Sequence, residues 1–417
     1  HLMVVHEDYT RVLAVPCDMM IAGYDTGHVN TLRLWEAKSP KPIDMQLFSD
    51  GQYLQATEEQ AMADVISKIL YPEDNHYEGK SLRLKQQYFF VSATVQSIVS
   101  KHIEVYGTAA NFHEKNVIQI NDTHPSMVIP ELIRLLGEKG IDFDEAVEIV
   151  TKTCAYTNHT ILAEALEKWP RAYLDAVVPQ LMPIIEKLDA LARTRTEDEG
   201  LAIIDKDDRV HMAHMDIHYG FSVNGVAALH TEILKNSELK PFYDIYPEKF
   251  NNKTNGITFR RWLLHCNREL AQYIESLIGP GFKKDADELE KLLKYKDNKK
   301  VLAKLEEIKH NRKLDLKQFL YETQNIALDE NSIIDVQVKR LHEYKRQLLN
   351  IMHVMYLYNQ IKEHPEMSFY PRTFIFGAKA SAGYVRAKEI IKLINSVADV
   401  VNNDLSINGK LKVVFIE

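Results

Sequence analysis

A chain of 417 residues, 45% hydrophobic and 26% charged, has room for two or three domains with cores of their own and the make-up of an ordinary globular protein. Its formal net charge of −8 speaks against a general nucleic-acid binder, which needs a basic face. Three scattered cysteines, Cys17, Cys154 and Cys266, offer neither a disulfide framework nor a zinc site, and no apolar run approaches the ~20 residues that span a bilayer.

The opening stretch, "HLMVVHEDYTRVLAVP", lacks the charged-then-apolar layout of a secretory signal, so a cytoplasmic protein is expected, with "HLM" as a cloning remnant. Strands are expected over 11–18 ("RVLAVPCD") and 29–35 ("VNTLRLW"). A third, "VIQIND" (117–122), ends in a polar corner before a helix starting near Ser126. Apolar residues at three- and four-residue spacing predict helices over 56–70, 83–106, 126–154 and 170–194.

Polar groups punctuate these elements. "YPEDNHYEGK" (71–80), with Pro72, Asp74, Asn75 and Gly79, has the composition of a mobile recognition loop. In "QINDTHPS" Asp122 and His124 stand at a strand exit, as a helix-capping corner or as the rim of a site. His159 lies in the polar loop of "CAYTNHT", where a structural role is the commoner one for a lone histidine. "HMAHMDIH" offers His211, His214 and His218 as metal ligands, but the segment is poor in helix signals and no metal is expected. No zincin motif, nucleophile elbow or carboxylate pair suited to glycoside hydrolysis stands out.

After the Asn- and Gly-rich "FNNKTNGITFRRWL" (250–263) the composition changes, and "LIGPGF" (277–282) breaks the chain. The charged stretch 285–314 reads as a solvated helical face. From Ile333 the order is strand, helix, strand ("RTFIFGA"), helix, strand ("LKVVFIE"). Two βαβ units predict a parallel doubly wound sheet with ligands at the strand C-termini. The first crossover helix, 343–361, is expected to turn Leu348, Ile351, Met352, Met355 and Tyr358 inward.

The turn before that helix is cationic. Lys339, Arg340, His342, Lys345 and Arg346 crowd it, with Tyr344 among them, although cations in a helix's first turn are disfavoured by ~0.3–1 kcal/mol each. A bound anion resolves the conflict through charge-assisted bonds from Lys339, Arg340 and Lys345 and through helix N–H groups. "FGAKASAGY" after the next strand is a weaker phosphate-loop signal, since Gly377 and Gly383 also suit plain tight turns.

"NDTHPS", "CAYTNHT", "VNGVAALHTEIL", "FNNKTNGIT", "RRWL" and "DVQVKRLHEYKRQLLN" resemble, in collinear order, signature segments of the α-glucan phosphorylases, which act on glycogen, starch and maltodextrin. The resemblance runs through nearly the whole chain. It implies an α/β fold of two Rossmann-like lobes of the two-domain glycosyltransferase (GT-B) type, both incomplete. Residues 1–253 correspond to the later part of the N-terminal lobe. Residues 254–417 correspond to the first half of the C-terminal lobe, which binds cofactor and phosphate. It further implies phosphorolysis of terminal α-1,4-glucosyl units by inorganic phosphate to glucose 1-phosphate, with pyridoxal 5′-phosphate working through its phosphate group. A homodimer is implied, with neither nucleic acid nor membrane as partner.

By the same resemblance, His159, Arg340, Lys345, Asn255 and Tyr344 are the catalytic and sugar-contacting residues. Lys339 and Arg340 hold the cofactor phosphate, with Trp262 packed beside the cofactor. Asp74 and Asn75 belong to a gate, and Arg83, Asp122 and His124 line the site. Two adjacent phosphates carry about three to four negative charges, which gives the cationic turn its purpose.

The family's cofactor lysine falls beyond residue 417, and Lys379 does not match it, so a fragment is expected, inactive alone and unable to form the imine. Its apolar edge at "LKVVFIE" is expected to self-associate. Phe259 stands where the family has proline, Phe221 where many members carry histidine, and "VSKH" (99–102) where animal enzymes place an arginine pair, which favours a bacterial type. The alternatives are a nucleotide-sugar glycosyltransferase of similar fold and a non-catalytic carbohydrate-binding fragment.

Overall fold

The computed structural model describes residues 9–161 and 166–416 and is mixed α/β, with two parallel sheets. The chain divides into two compact units, His1–Asn255 and Gly256–Glu417.

In the first unit, β1 (Leu13–Ala22) and β2 (Val29–Lys38) form an antiparallel hairpin running from Leu13↔Lys38 to Ala22↔Val29, longer at both strands than the apolar patterns suggest. Helix α1 (Glu58–Lys68) precedes the long α2 (Tyr77–Tyr106). At the start of α2, His76 Nδ1 accepts the Gly79 N–H at 3.0 Å; at its end Gly107 takes φ 71°, a conformation glycine adopts without penalty.

The main sheet is parallel, in the order β3 (Ile118–Asn121), β4 (Cys154–Thr157), β7 (Ser222–Gly225), β8 (Phe250–Asn252). Between β3 and β4 run two helices, α3 (Val128–Glu138) and α4 (Phe143–Thr153), where the sequence predicts one. Gly140 at φ 86° makes the break, and Asp142 restarts the helix by accepting the Glu145 N–H at 3.0 Å. Every residue of α3 from Val128 to Leu136 is buried, so a bidentate Arg134–Glu131 pair lies inside the core.

The predicted helix 170–194 is likewise two, Arg171–Val177 and α5 (Met182–Arg193), with Pro179 between them. Strands β5 (Lys168–Pro170) and β6 (Arg209–His211) pair antiparallel, and β6 leads into α6 (Met212–His218). The sequence reading missed α6: its seven residues are all buried, and packing overrides weak propensity.

In the second unit the charged stretch forms a 3₁₀ run, Ala286–Tyr295, and then α7 (Lys299–Gln324), whose Val301, Ile308 and Leu320 are buried. Strands β9 (Ile333–Val338), β10 (Arg372–Gly377) and β11 (Leu411–Ile416) are parallel, in the order β11-β10-β9. They are connected through α8 (Gln347–Glu363) and α9 (Val385–Asn403). A Cβ at Gly377 would meet Ile416 and Val338 side-chain atoms at 3.1 and 3.2 Å, so glycine there lets β10 sit closely between its neighbours.

The expected inward stripe of the crossover helix is corrected here. Helix α8 starts at Gln347, after a 3₁₀ turn over Glu343–Lys345 and a left-handed Arg346 (φ 62°), and the later start changes its phase. Its inward stripe is Ile351, Val354 and Ile361, with Leu357 and Tyr358 partly buried, while Leu348, Met352 and Met355 are exposed. Strand β11 is an edge of this sheet, as expected, and so is β9; Ile333, Val336 and Val338 of β9 are exposed, while Leu411, Val413 and Val414 of β11 are buried. Among the described residues, no helix is long and apolar enough to cross a membrane.

Candidate functional site

In a parallel sheet with crossover connections, side chains that follow the strands' C-terminal ends are free to face a ligand. In the first unit Asn121 closes β3 and Asp122 follows it, His159 follows β4, Val226 follows β7 and Asn255 follows β8, whereas Asn158 is wholly buried with its amide on Tyr156 OH at 3.1 Å. Main-chain bonds tie the ends together: Asp122 N–H to Thr157 C=O at 3.0 Å, Asn158 N–H to Asn224 C=O at 2.9 Å and Asn255 N–H to Val226 C=O at 2.9 Å. His159 Nε2–H donates to Asn121 Oδ1 at 2.6 Å, and among the described residues nothing bonds to Nδ1 or to the main-chain carbonyl of this exposed residue. His230 steadies the loop from behind. Its Nδ1 accepts the Val226 N–H at 3.1 Å, so its proton is on Nε2, which donates to Thr160 C=O at 3.1 Å.

The "NDTHPS" corner is strained and well tied. Asp122 has φ 65°, unusual for a residue with a side chain, and its Oδ1 accepts the Thr123 N–H at 2.9 Å. His124 lies with Nδ1 3.7 Å from Glu167 Oε2 and Nε2 3.9 Å from Asp122 Oδ2. Glu167 holds the His124 imidazole above its ordinary pKa, against a smaller opposing effect of burial. Burial pushes Glu167 up, but the bonds it accepts from Gln87 (2.8 Å), Trp169 (2.6 Å) and Thr123 (2.9 Å), with His124, outweigh this and leave it low. Tyr71 stacks edge-on to His124 at 5.9 Å and lies under the Arg83 guanidinium at 5.7 Å. Arg83 in turn pairs with Asp74, while Asn75 donates to Glu73 at 2.7 Å. Asp74, Arg83, Asp122 and His124 are thus brought into one neighbourhood. Its centre, Glu167, was not singled out, because nothing local in "EKWP" distinguishes it from a surface carboxylate.

In the second unit the β9-to-α8 turn is held open by main-chain bonds from Lys339 N–H to Gly377 C=O (2.9 Å) and from Leu341 N–H to Lys379 C=O (3.2 Å). The buried Gln347 amide reaches the carbonyls of Lys339 and Arg340 at 3.4 Å, while both of these residues are exposed. Tyr384, another residue sequence reasoning passed over, donates to Glu343 Oε2 at 2.8 Å and occupies the one carboxylate in the turn. Among the described residues Lys339, Arg340, Lys345 and Arg346 make no ion pair with any carboxylate. The cations precede α8 rather than occupying its first turn, so the helix-dipole conflict expected from sequence is eased while their mutual repulsion stays. Tyr344 is exposed and lies 5.7 Å from Lys345 Nζ. Trp262, also exposed, has no hydrogen bond or ring contact joining it to this turn among the described residues.

The histidines of β6 and α6 are structural. His211 bonds Asp205 (2.8 Å), His214 Nδ1 donates to Ala202 C=O (2.7 Å), and His218 reaches Tyr246 OH and Leu201 C=O (2.9 Å each). Burial depresses the pKa of His214 to about 3 and of His218 to about 4.

A family model described as carbohydrate phosphorylase matches residues 1–417. A maltodextrin phosphorylase of Streptococcus pneumoniae is 52% identical over 400 residues, covering 96% of this chain and 52% of that protein. The muscle form of glycogen phosphorylase from Bos taurus is 44% identical over 435 residues, and the brain form from Pongo abelii 45% over 430. Each match covers 98% of this chain and 51% of the relative. The chain therefore spans about half the length of the curated relatives it matches.

Proposed function

The chain belongs to the carbohydrate phosphorylase family, and from that premise we propose that its protein degrades α-1,4-glucans with inorganic phosphate. A phosphate oxygen bonds to C1 of the terminal glucose, the C1–O bond to the next unit breaks, and the phosphate's proton goes to the departing glycosidic oxygen. The products are glucose 1-phosphate and a glucan one unit shorter. The single observation that carries this reading is the cationic turn: four side chains at a parallel strand's C-terminal end, none neutralised by a carboxylate among the described residues. A carbohydrate-binding module has no need of such a turn, and an anion satisfies it.

The turn's donor set suits a phosphate monoester, and Lys339 and Arg340 would hold that of pyridoxal phosphate. When bound, the cofactor supplies a second phosphate that relays the proton of the first. Lys345 holds the substrate phosphate and draws charge from it as the glycosidic bond lengthens. His159, oriented by Asn121, presents its main-chain carbonyl to the positive charge growing at C1, and Asn255 and Tyr344 orient the sugar. Trp262 would pack beside the cofactor. Asp74 and Asn75 form the gate, and Arg83, Asp122 and His124 line the site. The two units are read as portions of two Rossmann-like lobes of the GT-B type, 1–253 and 254–417, in a cytoplasmic homodimer.

The test is the release of glucose 1-phosphate from maltodextrin by the complete product of this reading frame, with phosphate varied. Glucosyl transfer from a nucleotide sugar without phosphate would favour the glycosyltransferase alternative.

A further inference from the structure

Ser126 is wholly buried at the end of the "NDTHPS" corner, and its hydroxyl faces two oxygen acceptors: Thr123 C=O at 2.8 Å and Asp216 Oδ2 at 2.5 Å. A hydroxyl has one proton to give and cannot serve both. Thr123 C=O also accepts the Ser126 N–H at 3.1 Å, so the hydroxyl is not needed there, and the arrangement accommodates an acid whose Oδ2–H donates to Ser126 Oγ while the Ser126 O–H donates to Thr123 C=O. We propose that Asp216, on α6, is held as a neutral carboxylic acid and is a positioning residue, acting through Ser126, for the corner that carries Asp122 and His124.

Asp216 is itself fully buried, and its Oδ1 has no hydrogen-bond partner among the described residues. An unpaired neutral carbonyl is tolerable there, whereas half a carboxylate left unpaired in the core is far more costly. Burial, aided by repulsion from Glu167 and Asp122 and opposed by Ser126, holds its pKa well above the usual carboxylate range. The chain of donors ends where the candidate site begins. Thr123 Oγ1 donates to the Glu167 carboxylate that faces His124, and the Thr123 N–H is bound by Asp122. The relay thus helps keep Asp122 in its left-handed conformation and His124 opposite Glu167. It holds whether or not the protein is a phosphorolytic enzyme.

The neutral isostere distinguishes the protonation states, because the Asn side-chain N–H in Asp216→Asn donates to Ser126 Oγ as the acid does. Three measurements on the 417-residue chain test the proposal. Infrared difference spectra of wild type against Asp216→Asn at pH 7 should show the C=O band of a protonated carboxyl in the wild type alone. The NMR titration of the His124 ring should be unmoved in Asp216→Asn. In Ser126→Ala and Asp216→Ala the His124 pKa should fall towards the free value of ~6.5 as the corner relaxes away from Glu167. A change in overall stability alone would not move that titration, and Ser126→Ala, which removes one hydroxyl, carries the test should Asp216→Ala fail to fold. Absence of the band, an unmoved His124 in Ser126→Ala, or an Asp216→Asn variant as displaced as Asp216→Ala would each overturn the proposal.

Discussion

Glu167 Oε2 stands 3.7 Å from His124 Nδ1, and the same carboxylate binds Gln87, Trp169 and Thr123. The pair links β3's exit to the start of β5, over forty residues apart in sequence, and raises the pKa of a ring at the candidate site. Glu167→Gln should therefore lower the His124 pKa towards ~6.5. The sign follows from linkage. A histidine whose folded pKa is raised contributes stability that is fully present below the unfolded pKa and is lost as pH rises through the folded one. Wild type should lose this increment as pH rises past ~6.5 and the variant should not, as denaturant midpoints against pH would record. An equal pH dependence in both would remove the coupling.

The α6 histidines act in the opposite sense. His214 and His218 are buried neutral, with pKa values depressed to about 3 and about 4, so the unfolded chain binds protons that the folded chain refuses. Stability should fall as pH drops from ~6.5 towards 4, on the order of 3 kcal/mol for His218 alone. Thermal melts between pH 7 and 4 check this, and a flat profile contradicts it.

Anion binding by the cationic turn should be measurable in the chain itself. Phosphate or sulfate should bind weakly, and more weakly as ionic strength rises. Arg340→Ala or Lys345→Ala should each cost about 1.5–3 kcal/mol, roughly one to two decades in affinity. Isothermal titration that finds equal affinity in wild type and both variants would remove the anion site.

Arg346 combines charge with backbone strain, since it holds φ 62° ahead of α8. Arg346→Gly should be more stable than Arg346→Ala by about 1 kcal/mol, because only glycine is at ease in that conformation. Both should weaken sulfate binding alike. Similar stabilities would mean the turn relaxes to another conformation in the variants.

The core of the second unit offers a plain check on the phase of α8. Ile351 is fully buried and Met352 is 54% exposed. Ile351→Ala should cost about 2–5 kcal/mol and Met352→Ala no more than about 0.5 kcal/mol, as equilibrium unfolding would show. The sequence stripe had placed both inward.

That error is instructive. The strand-helix-strand order after Ile333 is legible, because β10 and β11 are continuous apolar runs between helical patterns. Where α8 begins is not, since a left-handed arginine leaves no local signature. The break at Gly140 was marked by its glycine and by Asp142, but the apolar period runs on across it. The corner residues Asp122 and His124 and the loop histidine His159 could be picked out by their polar setting after strands. Glu167, Asp216, Gln347 and Tyr384 could not, because their roles come from partners brought together by folding. The histidines of β6 and α6 look like ligands in sequence and prove to be committed to carbonyls, a carboxylate and a phenol.

The central claim is that the cationic turn serves phosphate in glucan breakdown, and the most direct measurement is the phosphate dependence of glucose 1-phosphate formation from maltodextrin. It would be made with the complete product of this reading frame and with its Arg340→Ala and Lys345→Ala variants. The account predicts phosphate-dependent release by the wild type, and in both variants a kcat/KM for phosphate lower by about one to two decades. Release independent of phosphate, or an unchanged phosphate KM and rate in both variants, would contradict it.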